Sequence, residues 1–91
     1  METERREVHF AGRVQGVGFR YTTKRLAAGF DVSGWVKNLP NGEVQMVVEG
    51  KRAELDAFLE SIRDSMQGYI DDTRTTSGPA QQEFTGFEIV R

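Results

Sequence analysis

Cysteine is absent from the 91 residues, which excludes disulfides, thiol nucleophiles and cysteine-held metals. Histidine occurs once, at His9, and its position out of phase with Val8 and Phe10 marks it as a sheet residue rather than a catalytic base. No apolar run is long enough to cross a bilayer, and the N-terminus does not read as a signal peptide, so neither membrane insertion nor export is expected. Together with the missing cysteines, this gives a cytoplasmic reading. Hydrophobic residues make up 37% and charged residues 29%, the balance of a soluble globular protein. A chain of 91 residues supports one domain with a single core. Residues 1–6 are expected to be a flexible N-terminus, residues 7–91 the domain, and the molecule a monomer.

Charge is unevenly placed. The formal net charge is −2, yet residues 11–40 hold Arg13, Arg20, Lys24, Arg25 and Lys37 against Asp31 alone, a net +4. A positive field within an acidic chain favours a small anion there. For Lys24 and Arg25, a solvated helix face is an equally good reading.

Within that basic stretch lies Gly12-Arg13-Val14-Gln15-Gly16-Val17-Gly18-Phe19-Arg20. A strand-like run through Val8 and Phe10 enters a loop with three glycines, and a helical pattern opens at Phe19-Arg20. Glycine lets backbone N–H groups approach a ligand without a Cβ clash. A helix start adds unpaired N–H groups and the positive end of its dipole, and arginine adds a cationic fork for oxyanions. A turn whose glycines only meet backbone geometry is the plain alternative. Three glycines with Gln15 and a helix-start Arg20 favour an anion cradle, for phosphate above all. It is not a Walker loop, which needs Gly-Lys-Ser/Thr at the helix start. Nor is it a dinucleotide fingerprint, because Tyr21 stands where the third glycine belongs.

The remaining pattern is α+β. Phe19, Thr23, Leu26 and Phe30 give a helix over about 19–29, and 32–39 reads as the second strand. A third strand over 42–49 has Val44, Met46 and Val48 on its core face and Glu43, Gln45 and Glu49 on the other, after a turn at Pro40-Asn41-Gly42. Leu55, Phe58, Leu59, Ile62 and Met66 share one face of a helix over about 52–66. Residues 69–77 suit an edge strand broken by Ser77-Gly78-Pro79, and 84–90 a last strand. The order predicts a ferredoxin-like βαββαβ sandwich: two helices on one face of a mainly antiparallel sheet, with an extra C-terminal strand. Its first and second strands run parallel, so the glycine loop and Asn38 should meet at one sheet edge. The amide of Asn38 has an acceptor for water and a donor for phosphate, or it simply satisfies the turn that follows; the residues alone leave both open.

Gly12-x-Val14-Gln15-Gly16-Val17-Gly18-Phe19-Arg20, followed by Gly34-Trp35-Val36-x-Asn38 and by Phe84-Thr85-Gly86-Phe87-Glu88-Ile89, resembles the acylphosphatase family over residues 8–89. The resemblance implies metal-independent hydrolysis of an acyl phosphate to a carboxylate and inorganic phosphate, with no metal or organic cofactor. It implies phosphate binding by the loop Gln15, Gly16, Val17, Gly18, Phe19 and Arg20, and catalysis by Arg20 on the phosphate and Asn38 on the attacking water. One departure is Phe30-Asp31-Val32, where many members carry Leu-Gly-Leu. A left-handed Asp31 is then expected, and Asp31→Gly should stabilise the fold.

Two other functions compete. One is a non-catalytic acyl-phosphate or anion-binding module serving a partner enzyme, as in larger carbamoyl-transfer proteins; the chain lacks the cysteine motifs that accompany it there. The other is nucleic-acid binding, which the acidic balance and the Glu43, Gln45, Val47, Glu49 face oppose. Asp71-Asp72 point to opposite strand faces and read as solvated surface rather than metal ligands. Trp35, opposite Val36, either borders a substrate or packs on a helix.

Overall fold

The computed structural model describes residues 2–91. Its elements run β1 (Thr3–Gly12), α1 (Phe19–Ala27), β2 (Val32–Asn38), β3 (Val44–Lys51), α2 (Arg52–Ser65), β4 (Ile70–Pro79) and β5 (Phe87–Val90). The five strands form one sheet in the order β4-β1-β3-β2-β5, antiparallel except for β5, which runs parallel to β2. This is the ferredoxin-like arrangement expected, with its extra strand at the β2 edge.

Alternation sorts each strand into two faces. Val8 and Phe10 of β1, Val36 of β2, and Val44, Met46 and Val48 of β3 are fully buried on the helix side. Against them pack Phe19 of α1 and Leu55, Phe58, Leu59 and Ile62 of α2 in one core. Phe10 meets Phe19 at 5.0 Å between ring centroids, so the residue that opens α1 is anchored to the end of β1. Thr23 is buried without cost to its hydroxyl, which donates to the Phe19 carbonyl at 2.9 Å.

The structure corrects several expectations. Residues 3–6 are not a loose terminus: Thr3–Arg6 pair with Gly50, Lys51 and their neighbours in β3. Their charges are matched rather than solvated, since Arg6 bridges Glu4 at 2.7 Å and Asp56 of α2 at 2.8 Å. Met1 lies outside the described residues. Strand β4 is not broken at Ser77-Gly78-Pro79 but pairs through Pro79 opposite Glu4. As the edge strand, it tolerates a residue without an N–H. Conversely, β5 begins at Phe87, not at residue 84, and α1 stops at Ala27. There Ala28, Gly29 and Phe30 donate to the carbonyls three residues back, the tight turn that closes a helix.

Asp31 is not left-handed, because Gln82 is the one described non-glycine residue with positive φ. The expected gain from Asp31→Gly therefore loses its basis, and the Asp31 N–H is already bound to Glu54 Oε1 at 2.7 Å. Trp35 neither packs on a helix nor borders the cleft described below. It lies on the helix-free face of the sheet, opposite Val47 and Glu88.

Candidate active site

Register brings the expected site residues together. Phe10 and Asn38 both pair with Val44, so the ends of β1 and β2 lie at the same edge with β3 between them. The parallel pairing Lys37–Val90 carries the end of β5 to that edge as well. A cleft of about 750 Å³ opens there, lined by Gly16, Gly18, Arg20 and Asn38 together with the buried Val14 and Phe19 and with Tyr21, Ile89 and Arg91. Arg20 and Asn38, separated in sequence by the rest of α1, a turn and β2, thus line one space.

The loop is built to present N–H groups. Gly16 and Gly18 have φ of +77° and +78°, and a Cβ at either would meet nothing within 4 Å. The requirement is therefore backbone conformation rather than room. Gly18 caps α1 with no side-chain hydrogen bond, and the first turn holds no acidic residue. Among the described residues, none of the backbone N–H groups from Gln15 to Tyr21 finds a protein acceptor. Arg20 is half-buried and has no carboxylate partner among the described residues. Gly16, Gly18, Phe19, Arg20 and Tyr21 thus bring unpaired N–H groups and a cation to the lining of one cleft, with no protein anion paired to them among the described residues.

Across the cleft, Asn38 supplies the complement. Its Oδ1 is buried and lacks a hydrogen-bond partner among the described residues. A buried carbonyl oxygen without a donor is costly and uncommon. An unpaired side-chain acceptor and unpaired backbone donors thus belong to residues that line the same cleft. No Asp, Glu or His is among the residues that line the cleft.

Of the expected binding residues, Gly16, Gly18, Phe19 and Arg20 line the cleft, while Gln15 and Val17 do not. The Gln15 side chain turns away, and its Nε2 donates to the Leu39 carbonyl at 2.8 Å and the Glu43 carbonyl at 2.9 Å. Tyr21, Ile89 and Arg91 were not anticipated. The signal for Ile89 and Arg91 is the parallel placement of β5, which no local pattern announces; Tyr21 needed only its position one residue after Arg20 in the opening turn of α1.

Behind the hairpin that joins β2 to β3, Glu43 is held by Arg74 of β4 through two hydrogen bonds of 2.9 and 3.0 Å. Those bonds lower the Glu43 pKa to about 2. His9 sits beside the same pair, 2.8 Å from Glu7 and 3.4 Å from Glu43. The hydrogen bond with His9 holds the Glu7 carboxyl below its ordinary range. His9 thus belongs to a polar network on the helix-free face, away from the cleft.

Comparison with known proteins agrees with this geometry. The family model described as Acylphosphatase matches residues 6–89. An acylphosphatase of Acaryochloris marina is 36% identical over 81 residues, covering 89% of this chain and 87% of that one. The crystal structure of acylphosphatase from Bacillus subtilis superposes with a TM-score of 0.89 at 32% identity, over 97% of this chain and 99% of that one. Full-length HypF, in its phosphate- and nucleotide-bound form, matches with a TM-score of 0.89 at 28% identity, over 99% of this chain but 12% of its own.

Proposed function

Since the chain belongs to the acylphosphatase family, we propose that it hydrolyses an acyl phosphate, with Arg20 and the loop amides holding the phosphoryl group and Asn38 orienting the attacking water. The observation that carries this assignment of roles is the shared cleft, whose lining brings Gly16, Gly18 and Arg20, with their acceptor-free backbone N–H groups, together with Asn38, whose side-chain oxygen has no partner among the described residues.

The chemistry asks little more of the protein. Phosphoryl transfer depends chiefly on positioning and on stabilising charge at the equatorial oxygens, which an arginine fork and backbone amides supply. A water oxygen bonds to phosphorus as the bond from phosphorus to the acyl oxygen breaks, and the carboxylate leaves with the electron pair. Its conjugate acid has a pKa of about 4, so no general acid is needed. One proton of the water passes to a phosphoryl oxygen, consistent with a cleft lining that lacks Asp, Glu and His. The side formed by Tyr21 and Ile89 is left for the acyl group.

The test is turnover of benzoyl phosphate by the purified protein in excess chelator, beside Arg20→Ala and Asn38→Ala. Each substitution should lower kcat/KM by at least about 10²-fold while the variant stays folded, the scale of losing one preorganised stabilising group. A solvent-isotope and pH profile that reveals an essential enzyme base near neutrality would contradict the proton path. The likeness to one segment of HypF supports a second reading, an anion-binding module. A folded wild type that binds inorganic phosphate through Arg20 without turnover would select it.

A further inference from the structure

Gln15 stands one residue before Gly16, yet its side chain leaves the cleft and grips the hairpin that follows Asn38. Its two amide N–H groups are both used, on the carbonyls of Leu39 at 2.8 Å and Glu43 at 2.9 Å. Those carbonyls belong to the base of the β2–β3 hairpin, where the Leu39 N–H also donates to the Glu43 carbonyl at 2.8 Å. Leu39 directly follows Asn38. One side chain therefore links the loop that faces the phosphoryl group to the strand end that carries Asn38.

Core packing holds the loop through the fully buried Val14, and its other hydrogen bonds lie at its ends. The loop is tied at its entry by Arg13 N–H to the Tyr69 carbonyl at 2.9 Å, and at its exit by Thr22 N–H to the Gly18 carbonyl at 3.0 Å. Between those ties, residues 14–17 make no other hydrogen bond to protein among the described residues. The hairpin that Gln15 holds is itself braced: Asn41 Oδ1 accepts the Glu43 N–H at 3.0 Å, and Arg74 clamps the Glu43 carboxylate.

We infer that Gln15 is a positioning residue that sets the distance between the phosphate cradle and the water at Asn38. This rests on the roles proposed for the loop and Asn38. In-line attack requires water, phosphorus and leaving oxygen to be aligned, so the two walls must be held to a fraction of an ångström. A misplacement of about 1 Å costs about 10²-fold in rate.

Gln15→Leu keeps the bulk and removes both donors. Its kcat on benzoyl phosphate should fall between about tenfold and about 10²-fold, while the Kd for inorganic phosphate, read by fluorescence or calorimetry, stays within about threefold because the cradle amides remain. Gln15→Glu adds a readout that a merely structural role would not move. Ionised, the carboxylate opposes two carbonyls and donates nothing; protonated, it regains one O–H donor. Its kcat relative to wild type should rise as pH falls from 8 to 5. The charged groups nearest the hairpin (Glu43, Arg74 and His9) are common to both proteins and cancel in that ratio.

Unchanged kcat in Gln15→Leu would overturn the inference. So would a loss of phosphate affinity as large as the loss of kcat, or a pH-independent ratio in Gln15→Glu. Failure of the underlying reading looks different, because wild type itself would then leave benzoyl phosphate intact.

Discussion

Asn38 has a side-chain oxygen that the fold buries and leaves without a donor, an arrangement that stability alone does not favour. Removing it should therefore separate stability from activity. Asn38→Ala is expected to keep or raise Tm, since an unsatisfied buried polar group costs about 1–3 kcal/mol, while losing turnover. Thermal unfolding beside kinetics checks this; a Tm lowered by more than about 5 °C would mean that Asn38 serves the turn. Tyr21 is the other informative residue. It is 78% exposed, so Tyr21→Ala should change stability by less than about 0.5 kcal/mol. A rise in KM for benzoyl phosphate relative to acetyl phosphate would then report contact with the acyl group. That Arg20 and Asn38 line one cleft was legible because two separate motifs carried them and the topology brings the loop after β1 and the end of β2 to one sheet edge. The direction taken by Gln15 was not: spacing placed it in the loop, but only tertiary structure shows that its amide satisfies hairpin carbonyls.

Strands and helices show the same division. Period and alternation marked α2 and the core face of β3 correctly, because those faces meet one continuous apolar surface. They failed at the edges, where β1 begins within a run of charges and β4 continues through Pro79, since cross-strand pairing and ion pairs decide there and leave no periodic trace. Gly34 opens the motif it shares with Asn38 for a comparable reason: a Cβ there would lie 2.0 Å from the Val47 carbonyl oxygen, so β2 reaches its register on β3 only with glycine. The link from β4 to the hairpin makes a pH prediction. The folded pKa of Glu43 is about 2, below its ordinary value of 4.5, because Arg74 hydrogen-bonds the carboxylate. A depressed carboxyl contributes stability above its ordinary pKa and loses it as pH falls through the folded value. The loss should therefore run from about pH 4.5 down to about pH 2. In Arg74→Met, Tm should drop less between pH 5 and pH 2 than in wild type; equal slopes would assign that acid sensitivity to other carboxyls.

Across the whole molecule, the sheet has two ends with different work. The cleft occupies the end where Phe10, Val44 and Asn38 lie in register, while Thr3, Gly50, Lys51 and Val32 lie at the other. At that remote end the chain must cross from β4 on one edge to β5 on the opposite edge, through a segment without regular structure. Glu49, only 5% exposed, holds the crossing by accepting the N–H groups of Gln81 at 2.8 Å and Gln82 at 2.9 Å. Arg5 supports it, 3.8 Å from Glu49, 2.6 Å from Glu83 and stacked 5.1 Å from the centre of the Phe84 ring. A glutamate that alternation assigned to an open sheet face is therefore a buried tether, a role set by a segment more than thirty residues away in sequence. Glu49→Ala would strand two N–H groups and should cost at least about 2 kcal/mol, lowering Tm by about 8–16 °C in a domain of this size. Because the cleft lies at the far end of the same strands, kcat/KM per folded molecule should stay within about twofold of wild type at a temperature where both are folded. Chemical denaturation and benzoyl phosphate kinetics on one preparation read both quantities. A loss of kcat/KM as large as that expected for Asn38→Ala would show that the two ends are coupled through the sheet, and that the crossing segment shapes the site it does not touch.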